Sequence, residues 1–158
     1  MKPKKDEPGE KVLATNRLAF HNYHLENKVE AGMQLLGTEV KSLRAGGASL
    51  RDAYARVDRG EVFLHNCHIA PYSHGGYANH DPLRVRKLLL HRTEIEKLMS
   101  RTRSGGATLV PLRLYLSKGR VKVELAVGRT KKQWDKRQAE KEHDQEREAR
   151  AAVRDRGR

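Results

Sequence analysis

The chain has a single cysteine, Cys67, so it has no internal disulfide and no multi-cysteine zinc site. It has no apolar run approaching the roughly 18 residues of a membrane helix, and its opening "MKPKKDEPGE" carries no apolar signal region. Both absences predict a cytosolic protein that does not enter a membrane. Aromatic residues are scarce at 5% and hydrophobic residues reach only 37%, which supplies one small core in 158 residues. H-E-x-x-H, G-x-x-x-x-G-K and G-x-S-x-G are all missing, so the sequence predicts no catalytic constellation, no metal and no cofactor.

Positive charge, by contrast, is abundant. The formal net charge is +13, and its distribution divides the chain into three parts. Residues 1–10 are balanced and, with two prolines, read as a disordered arm. Residues 11–130 hold 20 basic against 10 acidic side chains, and residues 131–158 hold 10 against 7. Most of the excess therefore sits on the folded part, as expected of a surface that meets phosphate.

The patterning between residues 11 and 130 is that of short strands. Leu112, Leu114 and Leu116 alternate with Arg113 and Tyr115, "SKGR" turns, and Val121, Val123, Leu125 and Val127 alternate back, a hairpin with one apolar face. Ala53, Ala55 and Val57 lead through "DRGE" into "VFLHNCHIA" in the same manner, and "VEAGMQLL" reads as a further strand in which Gly32 marks a bulge or close approach. Two helices fit between them. "GTEVKSLRAGG" takes Thr38 as N-cap, and "HRTEIEKLMSRTRSGG" takes Thr93 and Glu96 as a capping box. Five or six strands with two short helices predict a mainly β fold, an antiparallel barrel of the oligonucleotide/oligosaccharide-binding (OB) type with a flexible basic C-terminal tail.

That tail, residues 131–158, has too few apolar residues to pack on a core. At helical spacing His143, Arg147, Arg150, Arg154 and Arg158 share one stripe, with Glu142/Glu146 and Asp144/Glu148 as repelling pairs. The sequence predicts a segment disordered alone that becomes helical when a polyanion neutralises the stripe. The only tryptophan, Trp134, lies in this segment among charges, with no apolar neighbour in sequence to bury it, although tryptophan is normally a core or interface residue.

Eight histidines raise the question of a catalytic or metal site. His65 and His68 point to opposite faces of a strand and make poor co-ligands. His21 with His24, and His80 with Asp81, are the remaining groupings, and they define the reading as a metal-dependent RNA-processing enzyme. In "NHDPLRVRKLLLHRTE" a turn leads through Arg84, Arg86 and Lys87 into Leu88–Leu90, which places three cations at a rigid bend. Tyr23, Tyr72, Tyr77 and Tyr115 lie among such charges and are candidates for base stacking.

"GTEVKSLRAG", "NHDPLRVRKLLL" and "KKQWDKR" occur here in one order, and from about Asn16 to Arg137 the chain resembles the SmpB family, the SsrA-binding proteins of bacterial ribosome rescue. The resemblance implies an OB-like barrel that holds the tRNA-like domain of tmRNA. It implies a C-terminal tail that occupies the decoding centre and mRNA channel of a stalled ribosome, against small-subunit rRNA. Carried over by position, Asn16, Arg17, Glu30, Leu89, His91 and Lys122 would contact tmRNA, joined by Arg84, Arg86 and Lys87 of the bend. Lys131, Lys132, Trp134, Asp135, Lys136 and Arg137 would sit at the decoding centre, and Arg147, Arg150 and Arg154 in the channel. Thr130 stands where the family's tail motif usually has glycine, and His91 where some members have asparagine. The resemblance implies a monomeric adaptor that meets elongation factor Tu only through alanyl-tmRNA. An OB-type ribosomal or assembly protein bound permanently to rRNA is the second reading.

Overall fold

A computed structural model describes residues 9–103 and 105–156. Nine strands and four α-helices follow in the order β1 (Glu10–Thr15), α1 (Arg17–Asn22), β2 (Tyr23–Met33), α2 (Gly37–Arg44), β3 (Ala48–Ser49), β4 (Tyr54–Asp58), β5 (Glu61–His65), β6 (His68–Ile69), β7 (Arg86–Leu89), α3 (Arg92–Thr102), β8 (Ala107–Ser117), β9 (Arg120–Thr130) and α4 (Gln133–Arg156). Strands β8, β4, β5, β7, β2 and β9 are hydrogen-bonded in that order, and β9 pairs back onto β8. The ring is closed and every long pairing is antiparallel, so the barrel presents few free edges. Strand β1 lies on the second half of β8, so Glu10 belongs to the barrel rather than to the expected arm. Residues 1–8 of that arm lie outside the described residues.

The two expected hairpins form for a local reason. Arg59–Gly60 and Lys118–Gly119 all have positive φ (50°, 77°, 50° and 76°), the tight turn whose twist matches that of paired strands. Inside the barrel Val62, Leu64, Leu114, Val123, Leu125 and Val127 are fully buried. The expectation of one apolar face on β8 needs correction, because the register shifts between Pro111 and Arg113. An extra residue at a bulge reverses which face the following side chains take. Leu112 therefore joins Val110, Ala126 and Ala19 in a second cluster on the outer face, under α1, while Leu114 points into the barrel. Gly32, by contrast, is a close approach and not a bulge. A Cβ there would lie 3.4 Å from that of Leu89, and the irregularity of β2 falls between Glu26 and Val29.

Helix boundaries also depart from the sequence reading. The N-cap of α2 is Leu36, two residues before Thr38, because the Glu39 carboxylate accepts from the Leu36 N–H at 2.9 Å. The N-cap of α3 is His91, whose N–H donates to Glu94 at 3.4 Å, in place of a Thr93–Glu96 box. The tail is described as the helix α4, which meets the body through α1, where His21 Nε2 lies 3.3 Å from Glu140.

Candidate nucleic-acid interface

The close approach at Gly32 sets the floor of a groove of about 850 Å³. Gly32 pairs with Leu89 on one side and Lys122 on the other, and having no side chain it leaves open the space between them. Glu30, Leu89, His91 and Lys122, four of the residues expected at RNA, line this one groove. Leu89 is 53% exposed, an apolar surface held in the open. Arg120 lines it as well. Sequence reading missed Arg120, although its spacing of two from Lys122 on a strand puts both cations on one face.

Glu30 joins three strands. It accepts a hydrogen bond from the Tyr115 hydroxyl of β8 and another from Lys122 of β9. Burial first, and then the bond to Glu30, push the Tyr115 phenol far above its ordinary range. Tyr115 is 1% exposed and lies 4.2 Å beneath the Arg113 guanidinium, so the expectation that it stacks on bases is corrected. Its role is to fix Glu30, which in turn holds the Lys122 ammonium at the groove. Arg113 is anchored by Glu10 and Glu124, at 3.2 and 3.3 Å. Burial alone would favour its neutral form, and those carboxylates more than offset that.

Arg17 lies elsewhere. It is exposed at the start of α1, in a groove of about 590 Å³ shared with Phe20, His21, His143 and Arg147 of the tail. Asn16 beside it is a correction to the RNA-contact set. It is 9% exposed and its Nδ2 donates to the Pro111 carbonyl at 2.9 Å, while its backbone N–H donates to Leu112 O at 2.8 Å. Its Oδ1 accepts from Ala19 N–H at 3.3 Å. Asn16 thus satisfies the carbonyls that the β8 bulge leaves unpaired and caps α1. Asn16→Ala should destabilise the protein by about 1–3 kcal/mol in urea unfolding while the RNA affinity of the folded fraction stays unchanged.

The three cations of the bend serve the fold more than the surface. Arg86 has no exposed surface and is withdrawn from the RNA-contact set. Its Nε donates to Glu39, and its Nη1 donates to Cys67 O at 2.6 Å. Arg84 donates to the same Glu39 at 2.6 Å, and Lys87 to Glu61 at 3.0 Å. Glu39 is itself completely buried. Burial would raise its pKa, but hydrogen bonds from Arg84, Leu36 and Arg86 reverse that and hold the carboxyl below its ordinary value of 4.5.

Among the described residues neither histidine grouping belongs to a cluster that could hold a metal ion. His80 is 6% exposed and its Nε2 donates to Ile69 O at 2.9 Å, with Nδ1 at 2.9 Å from the Thr38 hydroxyl. Asp81 instead accepts from Leu83 N–H at 2.9 Å. Among the described residues no cluster of three or more His, Cys, Asp or Glu could hold a metal. Burial pushes the Cys67 thiol up to about 11, far from nucleophilic.

In the tail, Lys131 ties the root of α4 to α1 through N–H to Asn22 O at 2.9 Å and Nζ to Phe20 O at 3.4 Å. Lys132, Arg137, Arg147, Arg150 and Arg154 are exposed and Lys136 is partly so, with Arg147 paired to Asp144 at 2.6 Å. The helix runs through Trp134 and Asp135, whose side chains lie outside the described residues.

The chain is similar to known proteins over most of its length. The model of the SmpB protein family matches residues 13–155. The SsrA-binding protein of Staphylococcus saprophyticus is 59% identical over 140 residues, covering 89% of this chain and 90% of that one. Its counterpart in Geobacter metallireducens is 54% identical over 148 residues, covering 94% and 97%. A solved structure described as "tmRNA-SmpB: a journey to the center of the bacterial ribosome" superposes with a TM-score of 0.65 at 48% identity, over 75% of this chain and 84% of that chain.

Proposed function

This chain belongs to the SmpB protein family, and from that premise we propose that it is an RNA-binding adaptor that carries tmRNA to stalled ribosomes. The observation that carries this reading is the convergence of Glu30, Leu89, His91 and Lys122, with Arg120, on one groove of the barrel. Lys122 and Arg120 meet phosphates of the tRNA-like domain, and the open floor at Gly32 with exposed Leu89 admits the sugar and base surface. The chemistry of tagging belongs to the ribosome and the translation factors, and this chain supplies position only. It meets elongation factor Tu indirectly through alanyl-tmRNA and acts as a monomer in the cytoplasm.

The tail supplies the second contact. Residues 131–137 approach the decoding centre, where Trp134 stacks on an rRNA base and the flanking cations neutralise phosphate. Arg147, Arg150 and Arg154 then follow the empty mRNA channel. The helix has few contacts with the body and gains its order from this RNA.

Lys122→Gln tests the groove. Tight binding to the tRNA-like domain should weaken, and the slope of log affinity against log salt should fall by about 0.9, one phosphate's share. An unchanged slope would remove Lys122 from the interface.

A further inference from the structure

A second surface lies on the neighbouring strands β4 and β5. Because side chains alternate across a strand, Lys87 and Leu89 share the outer face of β7. Register then carries that face across the barrel, since Lys87 pairs with Phe63 of β5, and Phe63 with Arg56 of β4. The inward neighbours Ala55, Val62, Leu64 and Leu88 are all buried, which fixes the outer assignment of Arg56, Phe63 and Lys87. One step further Tyr54 pairs with His65, and their rings stack with centroids 5.0 Å apart and planes 6° from parallel. Tyr54 remains 38% exposed. Beside it a groove of about 400 Å³ is lined by Arg56, Thr102, Arg103 and Thr108. Among the described residues neither Arg56 nor Arg103 has an ion-pair partner. Acidic side chains on this face, Asp58 and Glu61, are confined to the far end of the β4–β5 hairpin.

We propose that the Tyr54–His65 stack is a platform for an unpaired RNA base, with Arg56 and Arg103 receiving the phosphates on either side of it. A flat aromatic pair with one ring open to solvent, flanked by free guanidinium groups, has the chemistry of single-strand binding, which tolerates any base because each has a π-face. A cross-strand pair that served only the hairpin would need neither the exposed ring nor the two unpaired arginines. The platform lies on the outer surface of the same barrel and extends the proposed interface, so it rests on the RNA-binding reading. The base comes either from tmRNA next to its tRNA-like domain or from ribosomal RNA.

The test uses the full-length protein and two variants. The double substitution Tyr54→Leu with His65→Leu keeps apolar packing across the strands and removes the stack. Arg56→Gln changes one exposed charge and leaves the core untouched. Affinity is measured for three probes, a short oligouridylate, the tRNA-like domain with its adjoining single strand, and salt-washed ribosomes. The expected result is roughly tenfold weaker oligouridylate binding by the double variant, and a salt slope on that single strand lower by about 0.7 for Arg56→Gln. A matching loss on the tmRNA probe assigns the base to tmRNA, and a matching loss on ribosomes assigns it to rRNA. Unchanged affinity of both folded variants for all three probes overturns the platform. Failure of the adaptor reading looks different, because wild-type protein would then show no preference for the tRNA-like domain whatever the platform does.

Discussion

Glu39→Gln is expected to cost about 3–5 kcal/mol of stability, although the side chain has no exposed surface at all. Its carboxylate is fully buried and accepts from Arg84, Arg86 and the Leu36 N–H. Glutamine leaves a buried guanidinium without its counter-charge and turns an amide toward donors. The damage spreads, because Arg86 also donates to the carbonyls of Cys67 at 2.6 Å and Pro82 at 3.2 Å, and so holds the segment between β6 and β7. With total stabilities of about 5–15 kcal/mol, such a loss leaves a marginal protein.

Two further results separate this account from a generic core defect. Glu39→Leu combined with Arg86→Met, which removes the buried ion pair, should recover the part of the loss that comes from an unpaired charge, and not the part that comes from the Cys67 and Pro82 carbonyls, which methionine cannot bond. The pH dependence has a fixed sign. The folded carboxyl lies below its ordinary 4.5, so its stabilisation is fully present above that value and disappears as pH falls through the folded pKa. Urea unfolding should therefore show the gap between wild type and Glu39→Gln wide at neutral pH and narrowing once pH falls below the ordinary value of 4.5. A gap independent of pH would contradict the ion-pair account.

Removal of residues 131–158 is expected to abolish tagging on stalled ribosomes while leaving binding to the tRNA-like domain within a few-fold of wild type. The barrel closes without the tail, since β8 and β9 pair over their whole lengths and α4 reaches the body through α1. The deletion removes ten basic side chains, among them Arg147, Arg150 and Arg154. Each neutralised phosphate changes the salt slope by about 0.9, so a tail making three such contacts shifts ribosome affinity steeply with salt. Replacing only Arg147, Arg150 and Arg154 by glutamine should reproduce most of the defect in an in vitro tagging assay. Loss of tmRNA binding together with tagging would place recognition in the tail instead.

What could be read in advance follows from physical range. Period-two alternation and Lys-Gly or Arg-Gly turns are local signals, so both hairpins were legible. Nothing local announces that β8 bulges at Leu112, because the bulge is stabilised by Asn16, 96 positions away in the chain, whose N–H reaches the Leu112 carbonyl. For the same reason Asn16 reads as an RNA contact in sequence and is a structural amide in the fold. Arg84, Arg86 and Lys87 are three neighbouring cations in sequence, and their different fates depend on Glu39 and Glu61, brought to them by α2 and β5. The groove residues Glu30, Leu89, His91 and Lys122 were legible through family resemblance, whereas their convergence needs the pairing of β2 with both β7 and β9. Arg120 and the Tyr54–His65 platform had no motif to mark them and emerge only from register.

The most direct test of the adaptor account is the affinity of the full-length protein and of residues 1–130 for the tRNA-like domain of tmRNA, with ordinary tRNA as competitor across a range of salt. The account predicts that both forms prefer the tRNA-like domain and that their salt slopes on this RNA are alike, since recognition resides in the barrel. Equal affinity of both forms for every RNA would contradict it, leaving a basic barrel of the kind that binds rRNA without selecting tmRNA.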